Sequence, residues 1–430
     1  MRISFRRAST ADLLNKGTTR GFSPGGAWIP LFQGATIDKF IRKAISPNKL
    51  FLPLLDPEIG IPLRSLVRPG DTVRRGQVVA EATDESALPL HAPVQGEVIS
   101  MEPLVVPWAP EPVETIVILP GKEEPPQPLQ PSKGPWEPTE IRELLYRFGV
   151  LSIKLKVGSE PIQTVVVNGC ELEPFLTSTQ RLMEERTKEL ISGMEILLQA
   201  FQAEQAILAL TTDEDELIAD LQDLVFAKKR ISFVNLPPRY PQDNPQLLLR
   251  LLAPRTTATI VDVPTAIAAH EAIVNHHPLL DRVVTVSGPA IRNPQNLEAR
   301  IGTLLSELIA QCDGFAQPPG LIIMGGPMRG QVISSLEIPI HRQSTGFVFF
   351  PRRLRSMEEP CIYCGKCIDA CPQALYPVLI STAVKSRDWD AAESLRVRTC
   401  LLCGTCSYVC PSRIAHQRYL RRVLERRTTQ

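Results

Sequence analysis

Ten cysteines are present in the 430 residues, and eight of them lie between Cys361 and Cys410. They form two runs spaced C-x2-C-x2-C-x3-C-P. The first is Cys361, Cys364, Cys367 and Cys371, closed by Pro372; the second is Cys400, Cys403, Cys406 and Cys410, closed by Pro411. This is the bacterial spacing for [4Fe–4S] clusters, in which the fourth cysteine of each run ligates the other cluster. Three thiolates separated by two residues wrap one face of a cube. A fourth cysteine that starts a helix is carried toward the second cube. The spacing therefore predicts one cluster on Cys361, Cys364, Cys367 and Cys410, and another on Cys400, Cys403, Cys406 and Cys371. Two clusters with crossed ligands sit close together, which suits a one-electron wire rather than a redox catalyst. Structural zinc sites use ligand pairs across a longer gap, often with histidine, and the proline-closed runs do not match them.

No second constellation competes. Ser-His-Asp and H-E-x-x-H patterns do not appear, and His276-His277 reads as a loop pair. The turn around Gly325 and Gly326 lacks the spacing of a dinucleotide fingerprint. Cys170 and Cys312 read as ordinary small residues. The 47 basic and 46 acidic residues leave a net charge of +1, so no global field argues for a nucleic-acid partner. At 43% hydrophobic and 22% charged, the chain is not broadly disordered. Its longest uncharged stretch, Gly21 to Ile37, spans 17 residues and is broken by prolines and glycines; a membrane-spanning helix needs about 20 apolar residues. The N-terminus MRISFRRAST has no apolar region of the secretory kind. These features predict a cytosolic chain, or one on the cytosolic face of a membrane, where thiols stay reduced and clustered cysteines bind metal.

The elements that must position the cysteines divide into several units. After an N-terminal segment (1–49), residues 50–120 alternate short apolar runs with Pro-Gly and Gly turns, a hairpin pattern that resembles the lipoyl-type barrel sandwich. The stretch corresponding to the prosthetic-group hairpin, EATDESALPLHAP, carries no lysine. Residues 121–139 form a Pro-rich linker, part of a stretch with eleven prolines between Pro103 and Pro138. Residues 140–278 alternate strands and helices, predicting a three-layer α/β domain. Within it, Thr164–Asn168 reads as a buried parallel strand and Gln180–Phe201 as one long helix. Residues 279–350 read as a β-grasp module with a helix over LEARIGTLLSELIAQC. Residues 351–430 are a helical ferredoxin-type dicluster domain, with mostly helix between the two cysteine runs.

In this order the units resemble the C subunit of Rnf-type ion-translocating oxidoreductase complexes. The stretches VNGCELEPF from Val167, LLDRVVTVSGPAIRNPQNLEARIGT from Leu279 and LIIMGGPMRG from Leu321 carry the resemblance together with both cysteine runs. In that family the α/β domain is related to the flavin-bearing, NADH-oxidising subunit of respiratory complex I. The resemblance implies that Asn168, Glu171 and Glu173, at the end of the TVVVN strand, line an FMN or NADH pocket. A glycine-rich phosphate loop should precede that strand. Here the segment from Arg147 to Gly169 offers only Gly149 and Gly158 ahead of the strand, with Lys154 and Lys156 as nearby cations. Backbone N–H groups reach a phosphate closely where glycines permit. A second family motif, Y-P-Q-G, reads Tyr240-Pro241-Gln242-Asp243. The implied role is an electron-relay subunit, peripheral on the cytoplasmic side of the inner membrane. Its implied partners are the other subunits and ferredoxin or another electron donor. NADH binding is expected to be weak and FMN at most substoichiometric. Two other readings stay open: a complete FMN-containing, NADH-oxidising subunit with a rebuilt loop, and an assembly protein whose clusters are structural.

Overall fold

The computed structural model describes residues 25–82, 86–122, 136–152, 161–212, 215–351 and 357–426. Lys154, Lys156, most of the Pro-rich linker and the segment 1–24 lie outside them. Among the described residues, no helix is long and apolar enough to cross a membrane.

The first unit is a sandwich of two antiparallel sheets. One is ordered Leu50–Pro53, Val113–Pro120, Gly96–Leu104, Thr72–Val73, and the other Leu63–Ser65, Val78–Ala82, Leu90–His91. Gly70 and Gly76 take positive φ (95° and 84°) at the turns flanking Thr72–Val73. Period-two alternation sends Leu50, Leu52, Ile116 and Ile118 into the core between the sheets.

The α/β unit is built on a four-stranded sheet ordered Ile231–Asn235, Gln205–Leu210, Thr164–Gly169, Ala258–Asp262, with every pairing parallel. Val165 and Val167 point to a layer formed by the helices Pro138–Arg147, Thr187–Phe201, Asp215–Phe226 and Val263–Val274. Val166 points to the opposite layer, where the helix Pro245–Leu252 packs. The sheet is thus covered on both faces, as its continuous β-branched run requires. The predicted helix Gln180–Phe201 is two helices, Ser178–Glu185 and Thr187–Phe201. Arg186 leaves helical geometry at φ −130°, and its guanidinium reaches Glu298 in the neighbouring module.

The β-grasp module has a six-stranded mixed sheet ordered Arg42–Lys43, Gln295–Arg300, Asp281–Ser287, Gly346–Pro351, Pro319–Met324, Gln331–Ile333. The first of these strands comes from the N-terminal segment and pairs parallel with Gln295–Arg300. The expected helix over LEARIGTLLSELIAQC begins only at Leu305; Gln295–Arg300 is a strand antiparallel to Asp281–Ser287. Gly302, at φ 94°, turns the chain between strand and helix, and pairing across the module outweighs the helical spacing of the apolar residues. The C-terminal unit is helical. Pro377–Lys385, Trp389–Ser394 and His416–Glu425 enclose Leu375, Ile380, Val384, Leu420 and Val423.

Candidate metal centre and its junction with the α/β domain

The two cysteine runs fold into the same loop twice. In each, the residue before the second cysteine is left-handed: Tyr363 at φ 54° and Leu402 at φ 50°. The glycine after it is also left-handed, Gly365 at 76° and Gly404 at 79°, and opens a four-residue helix. Non-glycine residues accept that region only when the surroundings over-determine it, so the loops are held in a fixed curl. The third cysteine lies inside the short helix, Cys367 in Lys366–Asp369 and Cys406 in Thr405–Tyr408. Cys371 and Cys410 follow those helices rather than starting new ones. This corrects the sequence expectation, and the physical reason is the left-handed turn two residues after each closing proline, Ala374 at φ 52° and Arg413 at φ 55°, which breaks any helix begun there.

Amide groups turn toward the sulfurs. Tyr363 N–H donates to Cys361 Sγ at 3.3 Å, Leu402 N–H to Cys400 Sγ at 3.4 Å and Leu375 N–H to Cys371 Sγ at 3.4 Å. Burial pushes the Cys406 thiol up, and the charges that add to this come from Cys403, Cys400 and Cys371, then Cys367. Burial likewise raises Cys400 to about 11, with Cys403 and Cys371 as its thiol neighbours. Cys367 is raised first by burial, and its thiol neighbours are Cys410 and Cys361. Cys371 thus lies within electrostatic reach of Cys400, Cys403 and Cys406, and Cys410 within reach of Cys367. This donor set fits thiolate-bound iron, whose positive charge would offset the cost of burying thiolates.

The two sets differ in exposure. In the outer set Cys364 is exposed, Cys361 and Cys410 are half-buried and Cys367 is buried, whereas in the inner set Cys371, Cys403 and Cys406 are buried and Cys400 is half-buried. Around the outer set, Met357, Ile362 and Tyr363 are 83%, 66% and 82% exposed. The inner set faces the carboxyl end of the α/β sheet. In open α/β sheets that end is where ligands bind, at the point where strand order reverses, here between Thr164–Gly169 and Ala258–Asp262.

That end is occupied by a bonded network. Tyr240, wholly buried, donates its hydroxyl to the Cys403 carbonyl at 2.6 Å. Arg329, from the β-grasp module, lies 5.6 Å from the Tyr240 ring centroid. Its Nε donates to Glu173 Oε1 at 2.8 Å, and its terminal nitrogen pairs with Asp243. Glu173 also accepts the Met328 N–H at 3.0 Å, and the Met328 carbonyl accepts from Gln417 Nε2 at 3.2 Å in the cluster domain. The N-terminal segment closes the same junction. Gly26 N–H donates to the Ala370 carbonyl at 2.9 Å, and Ala27 bridges Tyr240. At Gly25 a Cβ would come within 2.7 Å of the Cys371 backbone, so only glycine fits. Burial raises the carboxyl of Asp243, with Arg329 opposing. Burial works against the Arg329 cation, yet Asp243 and Glu173 hold it charged.

All three residues expected to line a flavin or nicotinamide pocket are committed elsewhere. Asn168 Nδ2 donates to the Asp243 carbonyl at 2.9 Å, and its Oδ1 accepts the Cys170 N–H at 3.2 Å. Glu171 accepts Thr179 N–H at 3.0 Å and Gln180 N–H at 3.1 Å, which caps the helix Ser178–Glu185. Glu173 holds Arg329. The structure brings Asn168 and Glu173 into one network with the inner cysteines and sets Glu171 aside as a helix cap. Sequence reasoning missed Arg329 and the roles of Tyr240 and Asp243. One signal existed: Asp243 stands where the motif has glycine, and a new buried acid requires a cation.

The chain matches four family models: an RnfC barrel sandwich hybrid domain over residues 22–123, a Nuo51 FMN-binding domain over 150–277, an SLBB domain over 283–332 and a 4Fe-4S dicluster domain over 354–414. Three curated proteins are similar along most of their length. The C subunit of the ion-translocating oxidoreductase complex of Rhodobacter capsulatus is 31% identical, over 86% of this chain and 76% of its own. The C subunit of the proton-translocating ferredoxin:NAD(+) oxidoreductase complex of Clostridium ljungdahlii is 29% identical, over 80% of both. The C subunit of the Na(+)-translocating ferredoxin:NAD(+) oxidoreductase complex of Acetobacterium woodii is 28% identical, over 87% of this chain and 90% of its own.

Proposed function

We propose a specific electron-relay arrangement for this chain, which belongs to the family of C subunits of ion-translocating oxidoreductase complexes. The dicluster domain makes it a two-cluster relay subunit of such a complex. We assign the outer cluster to Cys361, Cys364, Cys367 and Cys410 and the inner one to Cys400, Cys403, Cys406 and Cys371. A [4Fe–4S] cluster supplies one-electron transfer at a potential set by its surroundings. The chain's own residues hold the thiols in fixed loops, donate N–H groups to sulfur and keep the inner set dry. The exposed apolar rim of Met357, Ile362 and Tyr363 supports a redox partner meeting the outer cluster. That partner is another subunit, ferredoxin or another donor, with the chain lying peripherally on the cytoplasmic side of the membrane.

We further propose that this chain relays electrons without oxidising NADH itself. The observation that carries this is the network at the carboxyl end of the sheet. Asn168, Glu171 and Glu173 spend their polar atoms on Asp243, a helix start and Arg329. A Cβ at Gly326 would run into the Glu173 carboxylate, so the β-grasp turn sits directly on it. These residues do not fit a flavin or nicotinamide pocket. The test is anaerobic purification followed by iron, sulfide and flavin analysis and a titration with NADH. About eight irons per chain, little flavin and clusters bleached by dithionite but not by NADH are expected. Stoichiometric FMN with rapid NADH bleaching would restore the dehydrogenase reading.

A further inference from the structure

We propose that Arg329 and Glu173 act as an opposed pair of positioning charges that sets the reduction potential of the inner cluster; this rests on the two-cluster reading above. The two side chains come from different units, and both meet beside Cys403. Glu173 is 7% exposed and Tyr240, which joins the network to the Cys403 carbonyl, is fully buried. Charges in such a setting are weakly screened, so each acts on its neighbours far more strongly than at the surface. Met328, next to Arg329 in the chain, packs against the cluster that holds Tyr240 and Cys403.

Reduction adds one electron to the cluster. A fixed cation beside it favours the reduced form and raises the potential; a fixed carboxylate does the reverse, charge and hydrogen bonding at the sulfurs being the established levers. Arg329 is not free to move away, since Glu173 and Asp243 grip it from two sides. Glu173 is not free either, because it also accepts the Met328 amide. The outer cysteines lie toward the exposed rim, away from this pair. The network is thus placed to tune one cluster and not the other, which would set the energetic slope of the wire.

The experiment is an EPR-monitored potentiometric titration of the anaerobically purified full chain, with Cys364→Ser used to identify the outer-cluster signal. Glu173→Gln keeps the shape and an acceptor but removes a negative charge, and should raise the inner-cluster potential. Arg329→Gln should lower it, and Arg329→Lys, which keeps the charge, should restore it toward the wild-type value. The outer cluster, farther from the pair, should move less in each of these. If Arg329→Gln fails to fold, the upward shift in Glu173→Gln alone decides. Shifts of the same sign in both variants, equal shifts in both clusters, or no shift with iron and sulfide intact would overturn the proposal. Absence of two clusters in the wild-type chain would instead overturn the relay reading beneath it.

Discussion

Glu171 separates the two readings of the α/β domain most sharply, because a pocket residue and a helix cap fail differently when removed. Its carboxylate accepts two amides of the first turn of Ser178–Glu185, at 3.0 and 3.1 Å, and the Ser178 hydroxyl at 3.3 Å. The formal N-cap, Thr177, makes no side-chain cap bond; its hydroxyl instead donates to Asn296 Oδ1 at 3.0 Å and shares a hydrogen bond with the Thr36 hydroxyl at 2.8 Å. Glu171 is therefore the residue that satisfies this helix start from seven positions upstream. Loss of a cap costs about 0.5–2 kcal/mol, and loss of a carboxylate at the positive helix end adds roughly 0.3–1 kcal/mol. Glu171→Ala should thus destabilise the helix by about 1–3 kcal/mol, while Glu171→Gln, which keeps one acceptor, should cost less, at most about 1 kcal/mol. In a chain of several units a global unfolding free energy is ill-defined, so the suitable assay is hydrogen exchange at the amides of 178–185. At 1.4 kcal/mol per tenfold, Glu171→Ala should speed opening roughly 5- to 150-fold. Unchanged exchange together with lost flavin or lost NADH bleaching would show that Glu171 serves a cofactor and refute the cap argument.

Three further outcomes follow. Cys371→Ser should damage the inner cluster although Cys371 belongs to the first run; loss confined to the outer-cluster EPR signal would refute crossed ligation. His91 is held neutral by burial, which lowers its pKa to about 4, while its Nε2 contacts the Arg147 carbonyl at 2.9 Å. Because the folded pKa lies below the unfolded one, this contribution is present above about pH 6.5 and is lost as pH falls toward about 4, at most roughly 3 kcal/mol. Acid unfolding of the sandwich should therefore be shallower in His91→Gln, and identical pH profiles would refute the role. In the helix His416–Glu425, Leu420 and Val423 are buried while Arg418, Arg422 and Arg426 are exposed. Charge reversal at Arg418 and Arg422 should reduce retention on the membrane complex without loss of iron, and full retention would leave these arginines as solvated surface.

Much of this architecture is readable from local pattern. The β-branched run Thr164–Asn168 could only be a strand covered on both faces, and it pairs in parallel with strands on each side. The cysteine spacing foretold a dicluster domain, because the first three cysteines of each run and their turns are local. Expectations failed where a distant partner decides. The residues Gln295–Arg300 carry helical spacing but become a strand through pairing with Asp281–Ser287. Gln180–Phe201 reads as continuous, yet breaks where Arg186 turns toward Glu298, 112 residues away.

The junction shows why motif carry-over stops short of chemistry. Asn168, Glu171 and Glu173 occur at family spacing, and local sequence places them correctly at the end of their strand. What they do depends on Arg329, which lies 156 residues beyond Glu173, and on Asp243 at the motif's former glycine. A glycine leaves backbone N–H groups open to an anion, whereas a buried aspartate brings its own negative charge and must find a cation. Once Asp243 recruits Arg329, Glu173 completes the pair, and the same network reaches the Cys403 carbonyl through Tyr240. Glu173 and Asp243 thereby form, with Arg329, a charged fastening between the sheet and the inner cysteines. The fastening is testable in the same terms. Asp243→Gly should leave Arg329 paired to Glu173 alone and raise the inner-cluster potential. It should not by itself confer NADH bleaching.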